Sequence, residues 1–154
     1  MTDTVNLFFN GKELSFLKNG RALKSWPAMS GREGYQHRYD VFIKNKGPIP
    51  EGIWHVRQKN HQNIKGLSSW GRTKSKFGFG TWPGLESSWG EDRIWLEPHL
   101  STRTFGRTGI TIHGGDEFGS AGCIDLAGGM PDFIKFFKEY NDDLDLIVRY
   151  PEDF

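Results

Sequence analysis

The chain has 154 residues, a formal net charge of +1 and a single cysteine. That length corresponds to one domain, residues 1–154, which can bury a hydrophobic core without disulfides, and one cysteine cannot form an internal disulfide in any case. Lys and Arg are mixed with acids along the chain, so we expect no nucleic-acid partner. No apolar run approaches the ~20 residues of a membrane span. The first residues, MTDTVNL, lack the basic and apolar regions of a signal peptide, so we expect synthesis in the cytoplasm without one.

The first half of the chain predicts a β-meander followed by a loop. Residues 5–9, 12–17 and 21–29 are predicted strands, separated by the hairpin-turn signals Asn10-Gly11 and Asn19-Gly20. Residues 47–52 combine two prolines with two glycines and predict a stiff turn before a strand at 53–56. In residues 58–93, Gly, Ser and Trp alternate irregularly. We predict a long loop with short strands there, of the kind that forms lids or binding walls.

The second half predicts two internal strands, one helix and a closing strand. Residues 93–96 and 109–113 are predicted strands, the latter ending at His113. In residues 130–140, aromatic residues recur at the spacing of one buried helical stripe. Pro131 suits the first turn of that helix. Residues 144–150 alternate as a closing strand, so the fold class is mostly β (α+β), with one main packed helix near the C-terminus.

A cysteine and a histidine in a glycine-rich segment are the candidate catalytic pair. A thiol attacks as the thiolate, and a histidine within hydrogen-bond reach can take its proton and then lower its pKa as imidazolium. His113 ends a predicted strand and Cys123 lies ten positions later, after a turn-forming stretch. Either the Gly114 carbonyl or the Asp116 carboxylate can orient the imidazole. The amides of Gly122 and Cys123 are candidates for an oxyanion hole.

This segment resembles the catalytic motif of the L,D-transpeptidase catalytic domain family, which has His-Gly, a spacer, and then Ser or Thr, His, Gly and Cys. The matching residues are Ile112-His113-Gly114 and Ser120-Ala121-Gly122-Cys123-Ile124. The spacer is shorter here, Ala121 stands where the family usually has a second histidine, and Asp125 replaces a common arginine. The chain is more similar to a narrower branch of the family, the L,D-transpeptidase-like effectors of the type VI secretion system. This similarity rests on the short spacer, Ser30-Gly31, residues 45–52 and Gly106-Arg107.

The resemblance implies an L,D-transpeptidase-like β-sandwich or mixed sheets, and a cysteine enzyme that needs no cofactor and no metal. Members of the branch cleave peptidoglycan tetrapeptide stems as L,D-carboxypeptidases, through a thioester on the cysteine, or exchange the terminal D-alanine for another D-amino acid. Such an antibacterial toxin is made in the cytoplasm, secreted, and acts in the periplasm of target bacteria. The resemblance also implies a secretion delivery component and a periplasmic immunity protein as partners. Alternatives are a host L,D-transpeptidase that crosslinks its own wall, and a non-catalytic peptidoglycan-binding module.

Several other residues are candidates for substrate binding, each with a simpler structural interpretation. Arg107 can hold a substrate carboxylate or be a solvated charge, and Ser120 can donate to substrate or only stabilise its turn. The tryptophans of the irregular segment can line a cleft or anchor the loop; these are Trp70, Trp82 and Trp89. A zinc site with His99 or Asp116 is disfavoured, because a single cysteine provides no paired ligand spacing.

Overall fold

Tight Asn-Gly turns form the first part of the fold. In the computed structural model, which describes residues 2–77, 82, 85–116 and 118–154, three strands form an antiparallel meander. These are β1 (Val5–Phe9), β2 (Glu13–Lys18) and β3 (Arg21–Pro27). Gly11 and Gly20 have positive φ angles, which glycine adopts without steric cost, so the chain can reverse direction at both turns as predicted.

One mixed sheet curls around the core. The other strands are β4 (Met29–Ser30), β5 (Gly52–Asn63), β6 (Asp92–Pro98), β7 (Thr111–His113), β8 (Ile124–Asp125) and β9 (Leu144–Val148). Within the described residues the order is β3-β2-β1-β9-β5-β6-β7-β8-β4. Since only Ala28 separates β3 from β4 in the chain, although they end opposite edges of the sheet, the sheet must curl until its edges approach each other. This is the mostly β fold that the sequence predicts.

The predicted C-terminal helix is present as α3 (Met130–Tyr140) and packs on the curled sheet. Phe133 and Phe137 are fully buried, and Trp26 meets Phe133 edge-on, with ring centroids 5.0 Å apart. The Trp26 indole N–H also donates to Asp132 at 2.8 Å. The helix stripe therefore belongs to the core, as its spacing predicts.

Two predictions in the first half of the chain are wrong. Residues 21–29 form two strands, because the chain leaves one sheet edge at Pro27 and enters the other at Met29. The predicted loop of residues 58–93 begins as strand β5, and its pairing with β6 shifts register between Val56 and His61, where the alternation typical of a strand is lost. Helices α1 (Ser69–Lys76) and α2 (Leu85–Trp89) follow. Residues 78–81, 83 and 84 lie outside the described residues.

The two strands that carry the motif lie side by side in the sheet. β7 and β8 pair in parallel, with Ile112 opposite Ile124 and His113 opposite Asp125. All five residues of these two strands are buried.

None of the helices in the described part of the chain is long and apolar enough to cross a bilayer.

Candidate active site

The parallel register brings the cysteine and the histidine to one face of the sheet. Extending the register by one residue from Ile112 and Ile124 sets Cys123 beside Thr111. Side chains alternate between the two faces of a sheet, so Cys123 and His113 point to the same side. Both line a cavity of about 620 Å³. Helix α2 contributes Trp89 to the wall of that cavity.

The imidazole is oriented by a main-chain carbonyl. His113 Nδ1–H donates to the Gly114 oxygen at 2.5 Å, which leaves Nε2 as the basic nitrogen of the neutral ring. Asp116, the alternative orienting group, is exposed and forms no hydrogen bond with the ring. The Trp89 ring packs against the imidazole at a tilt of 50°, with centroids 5.0 Å apart, and the Trp89 carbonyl accepts from the Gly114 amide at 3.1 Å. The histidine is thus held by a main-chain hydrogen bond and by an aromatic contact.

Burial keeps the histidine neutral. Removal from water lowers the pKa of His113 below 6.5, and the nearby Arg93 guanidinium lowers it further, while the bond to Gly114 opposes the shift. Arg93 lies opposite His113 on β6. A neutral imidazole with a free Nε2 can act as a general base.

The thiol has main-chain neighbours in place of the expected imidazole partner. The Thr111 amide donates to Cys123 Sγ at 3.3 Å, and the thiol contacts the Gly109 carbonyl at 3.9 Å. His113 lines the same cavity but is not a hydrogen-bond partner of the sulfur. The expected hydrogen bond between His113 and Cys123 is therefore absent, although catalytic hydrogen bonds of this kind often shorten only when substrate binds.

The pKa of the Cys123 thiol is raised, whereas an imidazolium partner would lower it. Cys123 is only 7% exposed, and burial raises the pKa of its thiol. The Thr111 side chain and amide oppose this shift, Asp125 adds to it, and Arg107 opposes it. The resting pair is thus a neutral thiol and a neutral imidazole, and the proton must move as the sulfur attacks.

Two amides near the sulfur are available for an oxyanion. Neither the Gly122 nor the Cys123 N–H donates to another of the described residues. Gly122 has a φ of +109°, and a Cβ at that position would lie 2.0 Å from Arg107 Nη2. Only glycine fits this turn, which is why a Gly precedes the cysteine.

Arg107 and Ser120 use their polar groups on the protein itself. The Arg107 guanidinium is buried and donates to the carbonyls of Val41, Pro48 and Gly47 at 2.5, 2.6 and 2.8 Å. It holds the loop that contains these carbonyls against the Gly122 turn, so both predicted roles, binding a substrate carboxylate and being a solvated charge, conflict with its burial. Ser120 lines the cavity, but its hydroxyl donates to the Cys123 carbonyl at 2.6 Å, which is the turn role.

The three candidate tryptophans have different surroundings. Trp89 lines the cavity, as its candidate binding role requires. Trp82 is 2% exposed, donates to the Gly90 carbonyl and stacks with Arg93, so it anchors the segment and cannot contact substrate. Trp70 is 67% exposed on α1 and does not line this cavity.

Three buried residues near the pair were not predicted to act there. Thr111 contacts the sulfur, Asp125 lies opposite His113, and Arg93 is enclosed by Trp82, Trp89 and Trp95. Asp125 was visible as a departure from the family motif. The positions of Thr111 and Arg93 beside the pair depend on strand register, which local sequence patterns do not contain.

Comparisons with known proteins identify the family and the fold of this chain. The family model described as the L,D-transpeptidase catalytic domain (YkuD) matches residues 7–141. L,D-transpeptidase 1 of Mycobacterium tuberculosis is similar in structure, with a TM-score of 0.50 and 17% identity over 97% of this chain and 62% of that one. An L,D-transpeptidase from Xylanimonas cellulosilytica gives a TM-score of 0.51 and 15% identity over the same shares.

The chain therefore spans about three fifths of the length of those solved structures. A comparison with curated protein sequences gives no significant match. The family model covers most of the chain and includes both the histidine strand and the cysteine turn. The chain belongs to the L,D-transpeptidase catalytic domain family.

Proposed function

We propose that this protein is a cysteine enzyme that modifies peptidoglycan, acting as an L,D-carboxypeptidase and D-amino-acid exchange enzyme on tetrapeptide stems. The observation that carries the proposal is the placement of Cys123 and His113 in one cavity, with the imidazole oriented through Nδ1 and the amides of Gly122 and Cys123 donating to none of the described residues. Membership of the L,D-transpeptidase catalytic domain family supports this chemistry. The cavity volume of about 620 Å³ suits one small peptide end.

The chemistry follows from the neutral resting pair. As Cys123 Sγ attacks the carbonyl carbon of the third stem residue, His113 Nε2 takes the thiol proton. The amides of Gly122 and Cys123 stabilise the oxyanion. Collapse breaks the peptide bond, and the imidazolium gives its proton to the nitrogen of the departing D-alanine, leaving a thioester. Water then yields the tripeptide acid, or the amine of a D-amino acid yields an exchanged stem, and the thiol is restored in both cases.

In this proposal the enzyme is a type VI secretion effector that acts in the periplasm of competing bacteria. The support is the resemblance of the short spacer between His113 and Cys123, and of residues 45–52, to that branch of the family. An immunity protein that occupies the cavity and a secretion delivery component are the partners this role requires.

A second candidate function is a non-catalytic peptidoglycan-binding module. Two observations favour it: burial raises the pKa of the Cys123 thiol, and the thiol is not hydrogen-bonded to His113. A degenerate site would bind stem peptides and leave them unchanged. Product analysis separates the two functions.

The test is mass spectrometry of a purified disaccharide-tetrapeptide after incubation with the protein, with and without added D-methionine. We expect loss of the terminal D-alanine, and exchange for D-methionine when it is present. Cys123→Ala should abolish both, and Asp116→Asn, which alters an exposed side chain not bonded to the imidazole, should retain both. Crosslinked dimers as the main product would indicate a wall-building transpeptidase, and binding without turnover would indicate the module.

The effector role has its own test in a susceptible bacterium. Directed to the periplasm, the protein should be toxic and should shorten the tetrapeptides of the cell wall, whereas the same chain kept in the cytoplasm should be harmless. A Cys123→Ala form directed to the periplasm is the matched control. Equal toxicity in both compartments would contradict an action on the cell wall.

A further inference from the structure

The hydroxyl of Thr111 is buried beside the nucleophile without a partner. Thr111 is 0% exposed, and its Oγ1 is the one fully buried side-chain N or O atom among the described residues that has no hydrogen-bond partner. A buried hydroxyl left unpaired costs about 1–3 kcal/mol, so the stability of the resting arrangement does not explain this group.

The surroundings of that hydroxyl point to the sulfur. The Thr111 amide already donates to Cys123 Sγ at 3.3 Å, and the parallel register sets the two residues side by side on one face of the sheet. The Thr111 side chain lowers the pKa of the thiol, as its amide does, although Oγ1 does not meet hydrogen-bond geometry to the neutral sulfur. Cys123 is itself a neutral S–H donor, directed towards the Gly109 carbonyl, and a neutral thiol accepts hydrogen bonds only weakly.

Ionisation of the sulfur changes what this hydroxyl can do. A thiolate has no proton to donate and is a strong acceptor, so both donors of Thr111, the amide and the hydroxyl, can then bond to it. Hydrogen bonds to a charged group are about twice as strong as those between neutral groups. The Thr111 hydroxyl is therefore unpaired while Cys123 is a neutral thiol, and it is paired once the thiol has lost its proton.

We propose that Thr111 is a catalytic residue that stabilises the Cys123 thiolate through its hydroxyl together with its own amide. In a site where burial and Asp125 both raise the pKa of the thiol, these donors offset part of that cost. The inference deepens the proposed function, since it concerns the same nucleophile. Its test uses the thiol alone and no peptidoglycan, so it can fail or succeed independently of the substrate.

The experiment measures the rate of Cys123 alkylation by iodoacetamide between pH 6 and 11 in the wild-type protein and in Thr111→Val, Thr111→Ser and Thr111→Ala. Because the chain has one cysteine, the carbamidomethyl group on the peptide that contains Cys123 reports on that thiol alone. Thr111→Val removes only the hydroxyl and keeps the amide bond to sulfur. We expect its apparent thiol pKa to rise by about one unit, which is a tenfold smaller thiolate fraction at neutral pH, or about 1.4 kcal/mol. Thr111→Ser should restore the wild-type profile.

Stability separates this role from a structural one. Since the hydroxyl is unpaired in the resting fold, Thr111→Val should unfold at the same urea concentration as wild type or a higher one, while its alkylation profile shifts. If the valine variant fails to fold, Thr111→Ala removes the same hydroxyl and gives the same comparison. An unchanged pH profile in the folded variant, or a Thr111→Ser variant that behaves like Thr111→Val, would overturn the proposal.

Discussion

Ionisation of the buried Asp125 carboxyl should lower the stability of the folded protein at neutral pH. Asp125 is 1% exposed, and burial raises the pKa of its carboxyl from 3.8 to about 6, although the amides of Ala127 and Gly119 oppose the shift. At about 1.4 kcal/mol for each pH unit, its ionisation in the folded state therefore costs about 3 kcal/mol at neutral pH. Asp125→Asn removes the charge and keeps an oxygen for the Ala127 amide, which donates to Oδ1 at 2.7 Å.

We expect Asp125→Asn to raise the free energy of unfolding by about 2 kcal/mol at pH 8, since the amide loses about 1 kcal/mol of hydrogen bonding where its NH₂ replaces a carboxylate oxygen. The gain depends on pH in a defined direction. The folded pKa lies above the unfolded one, so the folded state binds more protons between about pH 4 and 6, and wild-type stability falls as pH rises through that window. The gain should therefore be full above pH 7 and disappear towards pH 4.

Urea unfolding at pH 4, 6 and 8 measures this difference. Asp116→Asn makes the same chemical change at an exposed position and should stay within about 0.5 kcal/mol of wild type at each pH. A destabilised Asp125→Asn at pH 8, or a gain that persists unchanged at pH 4, would refute the reasoning. Because the Asp125 charge raises the pKa of Cys123, the same variant should also be alkylated faster at neutral pH.

Gly122→Ala should lower the free energy of unfolding by more than about 2 kcal/mol in urea titrations, because its Cβ would lie 2.0 Å from Arg107 Nη2 at a φ of +109°. Gly128→Ala, with no atom within 4 Å of its Cβ, should unfold like wild type, and equal losses would contradict the clash. His113→Gln should lower the rate of D-alanine release about 10²- to 10⁴-fold, the usual contribution of a general base, and a smaller effect would assign proton transfer elsewhere. Burial lowers the pKa of His113 below 6.5, so the acid limb of kcat/KM should have its midpoint below pH 6.5, and a midpoint above it would contradict a neutral base.

Local sequence patterns determined the elements that have strong turn signals or strong periodicity. The Asn-Gly turns define the opening meander, and the aromatic stripe of residues 130–140 predicts a helix with the bounds that the structure has. The strand through residues 58–63 was not predicted, because its register shift removes the period-two alternation that identifies a strand. Residues 21–29 form two strands because the sheet curls until its two edges approach each other. No local sequence pattern predicts that curling.

The candidate site was also predicted only in part from the sequence. Glycines around one histidine and one cysteine were enough to identify His113 and Cys123 as the candidate pair and Gly114 as one of two orienting groups. Strand register and burial, which arise only in the folded chain, decided the rest. They set the Thr111 amide beside the sulfur, buried Asp125 opposite the histidine, and enclosed Arg107 against Gly122. Burial also reversed the expected direction of the thiol pKa, because desolvation of a charged sulfur depends on how many protein atoms surround it and not on its neighbours along the chain.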